Sequence, residues 1–408
     1  MEHSYGRHWL ARWLLDPRLA YLNHGTVGAT PVAVIERARR LQDEIERQPA
    51  QFLLRELADH EASGEPPAPR MRLAARAVAQ FVGCAAEQFV FVDNATAGCN
   101  AVLRSFAFRP GEEILVTNLG YGGVTRAAAY AARLRGCSLR QIDLPAPGAP
   151  AAQYVAAIAA GLSKQTRMLV VDHITSPTAL VLPLAQIAAV CRQRGVVVLA
   201  DGAHAPGAIE LDIDALGVDF YVGNLHKWLW APRACGFLWA AQQHAAQLSP
   251  TVTSWGFGNG LAAEFDLPGT RDPTPFLTAP YALELWQRWG GMRILQYNHE
   301  LVTCGARQLA ERWNVPFSTP AGMLGPMAYL PLPAALGSGP AAAVALQASL
   351  LAEDGIEVPL NADGAHLACR ISAQIYNDET DFARLAVAVE RRLAGRAVAS
   401  VAPPNLRP

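Results

Sequence analysis

The sequence predicts an α/β protein with a mainly parallel central sheet between helices. Three observations carry this reading. The first is Gly195-Val-Val-Val-Leu-Ala-Asp201-Gly-Ala-His204, a β-branched run ending in a carboxylate. Such a run reads as a central strand buried on both faces. The second is Val218-Asp-Phe-Tyr-Val222, which runs into Asn224-Leu-His-Lys227-Trp228 and sets a lysine at the end of the next buried strand. The third is the alternation of short apolar runs with helical patterns upstream, the layout of right-handed strand–helix–strand units. Ligands of open parallel sheets bind beyond the carboxyl ends of the strands. Chemistry is therefore expected beside Asp201 and Lys227.

Taken in order, the chain opens with an amphipathic helical stretch and then Tyr21-Leu-Asn-His-Gly-Thr-Val-Gly28. Its two glycines let backbone approach a ligand closely. Asn23 and His24 there are placed either to touch substrate or to form a plain turn. A helical pattern covers about residues 31–57, Ser63-Gly-Glu-Pro-Pro-Ala-Pro69 breaks it, and a second helix spans about Arg70 to Val82. Phe89-Val-Phe-Val92 is a short buried strand. Asp93-Asn-Ala-Thr-Ala-Gly98 turns it into a helix from Cys99 to about Phe106. Backbone N–H groups and the Thr96 hydroxyl at that turn form either an anion site or an ordinary N-cap. Glu113-Ile-Leu-Val-Thr117 is the next strand and leads to Tyr121, which is flanked by glycines. That ring serves either as a lid on a flat cofactor or as a loop aromatic over the core. A helix (about Thr125–Arg135), an extended stretch (Ser138–Leu144) and a helix (about Ala152–Leu162) follow. The strand Arg167–Val171 ends in Asp172-His-Ile-Thr-Ser-Pro-Thr-Ala179, where Ser176 is placed to bond a ring substituent or a substrate carboxylate. The Ala/Pro/Gly-rich stretches at 145–152 and 333–345 read as loops or short linkers.

The bounds agree with a buried enzyme. The 408 residues leave room for a large domain and a smaller one, with 51% apolar and 17% charged residues. A net charge of -1 carries no footprint for nucleic acid or an anionic membrane. The seven cysteines are scattered without a CxxC, which indicates neither a disulfide framework nor a metal site and suits a reducing cytoplasm. Glu2, Arg7 and Arg12 spoil any secretory signal, and no apolar run is long enough for a bilayer.

A strand-end lysine is costly unless paired or neutral, and desolvation that lowers its pKa makes it a nucleophile toward an aldehyde. A carboxylate on the neighbouring strand end is what a pyridine nitrogen needs to stay protonated. Lys227 and Asp201 together therefore suit pyridoxal phosphate, with the ring as electron sink. His204 lies just beyond and reads either as a neighbour of the ring's phenolic oxygen or as a surface histidine.

With those residues in place, the sequence resembles the class V aminotransferase family of fold-type I pyridoxal phosphate enzymes, in its isopenicillin N epimerase-like branch. The matches are Tyr21-Leu-Asn-His-Gly25, Val92-Asp-Asn-Ala-Thr-Ala-Gly98, His173-Ile-Thr-Ser-Pro-Thr-Ala179, Asp201-Gly-Ala-His204, Asn224-Leu-His-Lys227, Gly269-Thr-Arg-Asp-Pro-Thr274 and Arg370-Ile-Ser-Ala-Gln-Ile-Tyr-Asn377. The resemblance implies a Schiff base at Lys227, the pyridinium partner at Asp201, His204 at the ring and Tyr121 stacked on it. It implies Ala95, Thr96, Asn224 and His226 around the phosphate. Thr270 would reach the partner subunit's phosphate, hence a homodimer. Arg370 would grip the substrate carboxylate, which its planar fork suits. It also implies an N-terminal segment (1–17) on the small domain, a large domain (18–285) and a small α+β domain (286–408). The Tyr281–Tyr297 region, with Trp286 and Trp289, reads as one connecting helix.

The reaction expected is chemistry at Cα of an amino acid, with Lys227 as the base after substrate displaces it. Epimerisation and C–S β-elimination stand close together, with transamination and decarboxylative or oxidative variants behind. His24, the Thr251–Asn259 loop and residues 353–366 are where substrate selection is expected. Persulfide-forming desulfuration fits poorly, because Cys369 sits in an apolar strand beside Arg370 rather than on a mobile loop. A non-catalytic binding module on the same fold would be expected to lack Lys227 or Asp201. A nicotinamide enzyme would need a G-x-G-x-x-G that is absent after the first strand.

Overall fold

The computed structural model describes residues 4–59, 61, 63, 68–364 and 366–401. Most of the expected break at 63–69 lies outside them. A two-residue strand, Ala20–Tyr21 (β1), comes first. The central sheet follows as Phe89–Val92 (β2), Glu113–Thr117 (β3), Ser138–Ile142 (β4), Thr166–Asp172 (β5), Val197–Gly202 (β6), Phe220–Asn224 (β7) and Gly236–Ala240 (β8). Met327–Pro331 (β9), Ile356–Glu357 (β10), Leu360–Asp363 (β11) and His366–Ser372 (β12) complete the described strands.

The central sheet has the order β2-β8-β7-β6-β5-β3-β4. Its strands run parallel except β8, which is antiparallel to both β2 and β7. Alternation along each strand feeds two cores. Val197, Leu199, Met168, Val170, Phe220 and Val222 face a core shared with the helix Ala95–Ser105. Val198, Ala200, Leu169, Val171 and Tyr221 face the other core, which holds the helices Arg70–Val82 and Thr274–Arg288. Apolar residues on both sides explain the unbroken hydrophobic runs. A third core lies between the β11-β12-β9 sheet and the helices Met292–Trp313, Gly339–Asp354 and Glu379–Val401.

Helix Ala95–Ser105 begins four residues earlier than expected from sequence. Asn94 supplies its N-cap through Ala97 N–H, so the small residues Ala95–Gly98 are helical rather than turn. Gly98 lets the helix press on the sheet, since a Cβ there would stand 2.7 Å from Val222 Cγ1. Helix Gly122–Arg135 likewise starts directly after Tyr121. Tyr281–Tyr297 is two helices, not one. Thr274–Arg288 stops before Gly290 and Gly291, whose φ values are 143° and 57°, and Met292–Trp313 starts afresh. The 333–345 stretch is only partly loop, because Gly339–Asp354 is a helix with proline in its first turn. The opening segment forms a short 3-10 turn, Arg7–Arg12. Arg7 pairs there with Asp381, while Trp9 and Trp13 pack into the same core as Trp230 and Trp289.

Candidate active site

Strand register brings the carboxyl ends together. Asp172 on β5 stands opposite Asp201 on β6, and Asp201 opposite Val222 on β7. The loop after β7 then carries Lys227. Leu225 and His226 N–H groups both donate to the Cys235 carbonyl, and Ala231 N–H donates to the Leu225 carbonyl, which pins that loop. From the other side Gly28, at φ 69°, passes so close that a Cβ would lie 2.9 Å from Lys227 Cα.

A cavity of about 870 Å³ opens at these strand ends. Ala95, Thr96, Tyr121, Ser176, Asp201, His204, Asn224, His226, Lys227 and Arg370 all line it. Lys227 is only 9% exposed. Burial, and then Arg370, pushes its ammonium pKa down to about 8 against the pull of Asp201 and Asp172. Its Nζ lies 3.3 Å from His204 Nε2, while His204 Nδ1 is buried with no partner. Burial and the two cations keep that imidazole neutral. Asp201 Oδ1 accepts from Ala203 N–H, and burial raises its pKa while Lys227 opposes the rise.

One end of the cavity is the N-terminus of helix Ala95–Ser105. Ala95 N–H is spent on Asn224 Oδ1 at 2.8 Å, so Ala95 orients Asn224 rather than offering a free donor. His226 bonds the Cys235 carbonyl through Nδ1, which must carry the proton there, leaving Nε2 for the cavity. The other end is Arg370. Alternation along β12 sends Cys369 and Ile371 into the small core and Arg370 toward the cavity. Arg370 Nη2 donates to Thr26 Oγ1 at 2.7 Å, and Nη1 donates to the Ser176 carbonyl. Its Nε is buried without a partner. Burial pulls its pKa down to about 10, leaving it charged at neutral pH.

Three expected residues are not brought into the cavity. His24 is fully buried behind it: Nε2 donates to the Lys227 carbonyl at 3.0 Å, and Tyr376 hydroxyl donates to Nδ1 at 2.8 Å. Its place as a substrate contact is therefore corrected to a brace under the lysine loop. Asn23 sits one layer back, donating to Glu357 and accepting from Thr26 hydroxyl. Thr270 is exposed on a separate groove with Asp93, Val252 and Arg271. Sequence reading missed Thr26, Asp172 and Gln347, which line the cavity, whereas Asn361, also on its wall, falls in the 353–366 stretch expected to select substrate. Asp172 carried a usable signal, being a strand-end carboxylate like Asp201. Thr26 and Gln347 carried none. Among the described residues no cysteine lines the cavity. Cys369 is buried, with its thiol pushed up to about 12.

A cavity at parallel strand ends, with a buried lysine beside a carboxylate, defines an α/β enzyme of the fold-type I class. Residues 60–385 match the family model Aminotransferase class-V, and the chain belongs to that family. It is 32% identical to the putative L-cysteine desulfhydrase 1 of Oryza sativa subsp. japonica, over 92% of this chain and 83% of that protein. It is 31% identical to the isopenicillin N epimerase of Streptomyces clavuligerus, over 93% and 96%. Its fold matches the cystine C–S lyase C-DES, solved with its product cysteine persulfide, at a TM-score of 0.75 and 24% identity over 92% of this chain and 97% of that one. The cysteine desulfurase CsdA of Escherichia coli matches at 0.74 and 20% identity, over 95% and 98%. No described helix is long and apolar enough to cross a membrane.

Proposed function

We propose that this chain is a pyridoxal phosphate-dependent enzyme that removes the Cα proton of an L-amino acid and expels a sulfur substituent from Cβ. One observation carries the reading: a buried lysine with its pKa pushed down to about 8, held between the strand-end carboxylates and a buried arginine. The residues fit the cofactor. Thr96, Asn224 and His226 gather at a helix N-terminus, where an anion is favoured. Asp201 suits a protonated ring nitrogen, His204 Nδ1 is a buried polar atom in need of a partner, and Tyr121 offers a ring face. When bound, the cofactor supplies an electron sink for the Cα carbanion.

The chain's own residues do the rest. Arg370 holds the substrate carboxylate through its fork and fixes which Cα bond faces Lys227. The Lys227 amine, freed by the substrate amine, takes the Cα proton. His204 Nε2 lies 3.3 Å from the amine, and its neutral ring adds no charge there; burial and Arg370 are what lower the Lys227 pKa. The C–S bond then breaks with its electron pair leaving on sulfur. A free cysteine would give hydrogen sulfide and, after hydrolysis, pyruvate and ammonia. No described cysteine lines the cavity, which favours release of the sulfur over its capture as a persulfide. Epimerisation is the second reading, supported by the epimerase relative that aligns over 96% of its own length.

The assembly we propose is a homodimer, with Thr270 directed at the partner's cofactor phosphate. The exposed Val252, Trp255 and Phe257 support a covered face there. The test of function is to load the protein, add L-cysteine and S-conjugates in deuterated water, and assay sulfide, thiol, 2-oxo acid and recovered substrate. Thiol with 2-oxo acid supports elimination. Recovered substrate with inverted, deuterated Cα replaces it with epimerisation. Neither product from any substrate, with no cofactor trapped on Lys227 by borohydride, overturns the proposal.

A further inference from the structure

Asp172 is the buried carboxylate that the mechanism above leaves unused. It ends β5 in register with Asp201, and alternation puts both on the face shared with Met168, Val170, Val197 and Leu199. It is 4% exposed and lines the cavity. Its two oxygens go to different loops. Oδ1 accepts from Tyr121 N–H at 3.3 Å, on the loop after β3. Oδ2 accepts from Ser176 N–H at 3.4 Å, on the loop after β5. Ser176 in turn accepts from Arg370 through both its carbonyl and its hydroxyl. Arg370 continues to Thr26, and Thr26 to Asn23 and Glu357. A single line of hydrogen bonds therefore runs from the ring-stacking aromatic to the carboxylate grip and on into the small sheet, and Asp172 is its only link to Tyr121 among these contacts.

We infer that Asp172 is a positioning residue that sets the separation between the Tyr121 ring and the Arg370 guanidinium, and hence between cofactor plane and substrate carboxylate. The inference rests on the functional reading above. Both bonds are long for charge-assisted ones, which run nearer 2.7–2.9 Å. Burial and the Asp201 charge favour the protonated form of Asp172. A neutral acid is enough for a spacer, and it leaves Asp201 as the charged partner of the ring nitrogen. The carboxyl group works here by having two oxygens a fixed distance apart.

Asp172→Asn and Asp172→Ala separate this role from no role by removing one acceptor and then both. Each variant is compared with the unmodified protein for apoprotein melting, for visible circular dichroism of the bound cofactor, and for KM and kcat. Asn keeps the shape and one acceptor without charge, but it sets its amide NH2 against one of the two backbone N–H donors. It is expected to weaken the dichroic band in part and to raise KM by about threefold, less than Ala does. Ala loses both acceptors. It is expected to weaken the band and raise the amino-acid KM by about tenfold, the cost of about one buried hydrogen bond. The apoprotein should melt like the Asn variant's. An Asn variant with the KM and dichroic band of the unmodified protein would overturn the inference, because the second oxygen would then hold nothing. Ala behaving like the unmodified protein would overturn it outright. If the unmodified protein traps no cofactor on Lys227, the functional reading fails first and is told apart from either result.

Discussion

The cavity has two walls built on different physical principles. One is made of adjacent strand ends: Asp172 and Asn224 end β5 and β7, Asp201 is the last residue but one of β6 between them, and Lys227 follows Asn224 by three residues. Ladder register places these side chains, so their spacing is a property of the sheet. The other wall is assembled from far-apart segments. Thr26 comes from the first turns, Ser176 from the loop after β5, Gln347 from a late helix, and Asn361 and Arg370 from the small sheet. Side-chain hydrogen bonds between those segments place them. On the proposed function, Asp201, Asn224 and Lys227 of the first wall would hold the cofactor and move the proton, and the second wall would orient the substrate.

Substitutions should separate the two walls. The largest effect is expected from Lys227→Ala on the strand-end wall. Losing the base and the covalent link should cut turnover by about a thousandfold or more and abolish borohydride trapping. Next, Asp201→Asn should keep cofactor in the cavity but lower kcat by about a hundredfold, because the ring is no longer held electron-poor. Substrate KM should move little, and a large KM change with unaltered kcat would break the division of labour. On the assembled wall Arg370→Ala should do the converse. It should raise KM by about a hundredfold from loss of a buried, charge-assisted grip, while cofactor binding survives.

A pH measurement sharpens the strand-end side. The Lys227 pKa is lowered, so its neutral form gains share as pH climbs through about 8. One unit below that point only about a tenth of the amine is neutral. Attachment of pyridoxal phosphate to the apoprotein should therefore accelerate with rising pH and level off above that value. A rate that falls over the same range would contradict it. The smallest catalytic effect should come from His24→Ala, behind the wall. It strands the Tyr376 hydroxyl and the Lys227 carbonyl at a cost of about 1–3 kcal/mol of stability, read by denaturant unfolding, while KM stays near its original value.

Much of this was legible before any coordinates. The run ending in Asp201 and the strand leading to Lys227 announced themselves because a strand buried on both faces must be continuously apolar, and a charge at its end then stands out. The resemblance through Arg370-Ile-Ser-Ala-Gln-Ile-Tyr-Asn377 located the arginine, a charge inside an otherwise apolar strand. Asp172 obeyed that rule and was passed over, since nothing in its neighbourhood assigned it a partner. His24 was misplaced because a glycine-flanked histidine reads alike whether it faces substrate or braces a carbonyl. The break at Gly290-Gly291 was overlooked because the surrounding aromatics suggested a continuous helix, although paired glycines at positive φ end one.

The sequence by itself determined the sheet-centred architecture and the placing of Asp201 and Lys227 at the ends of neighbouring strands. Both follow from local periodicity and from strand ends that neighbour one another in a parallel sheet. Only the tertiary structure decided that Thr26 and Gln347 join them, that His24 lies behind the lysine, and that Asp172 bridges two loops. Those contacts join residues as much as 352 positions apart, as between His24 and Tyr376. No local pattern records a meeting that depends on how separate cores pack together.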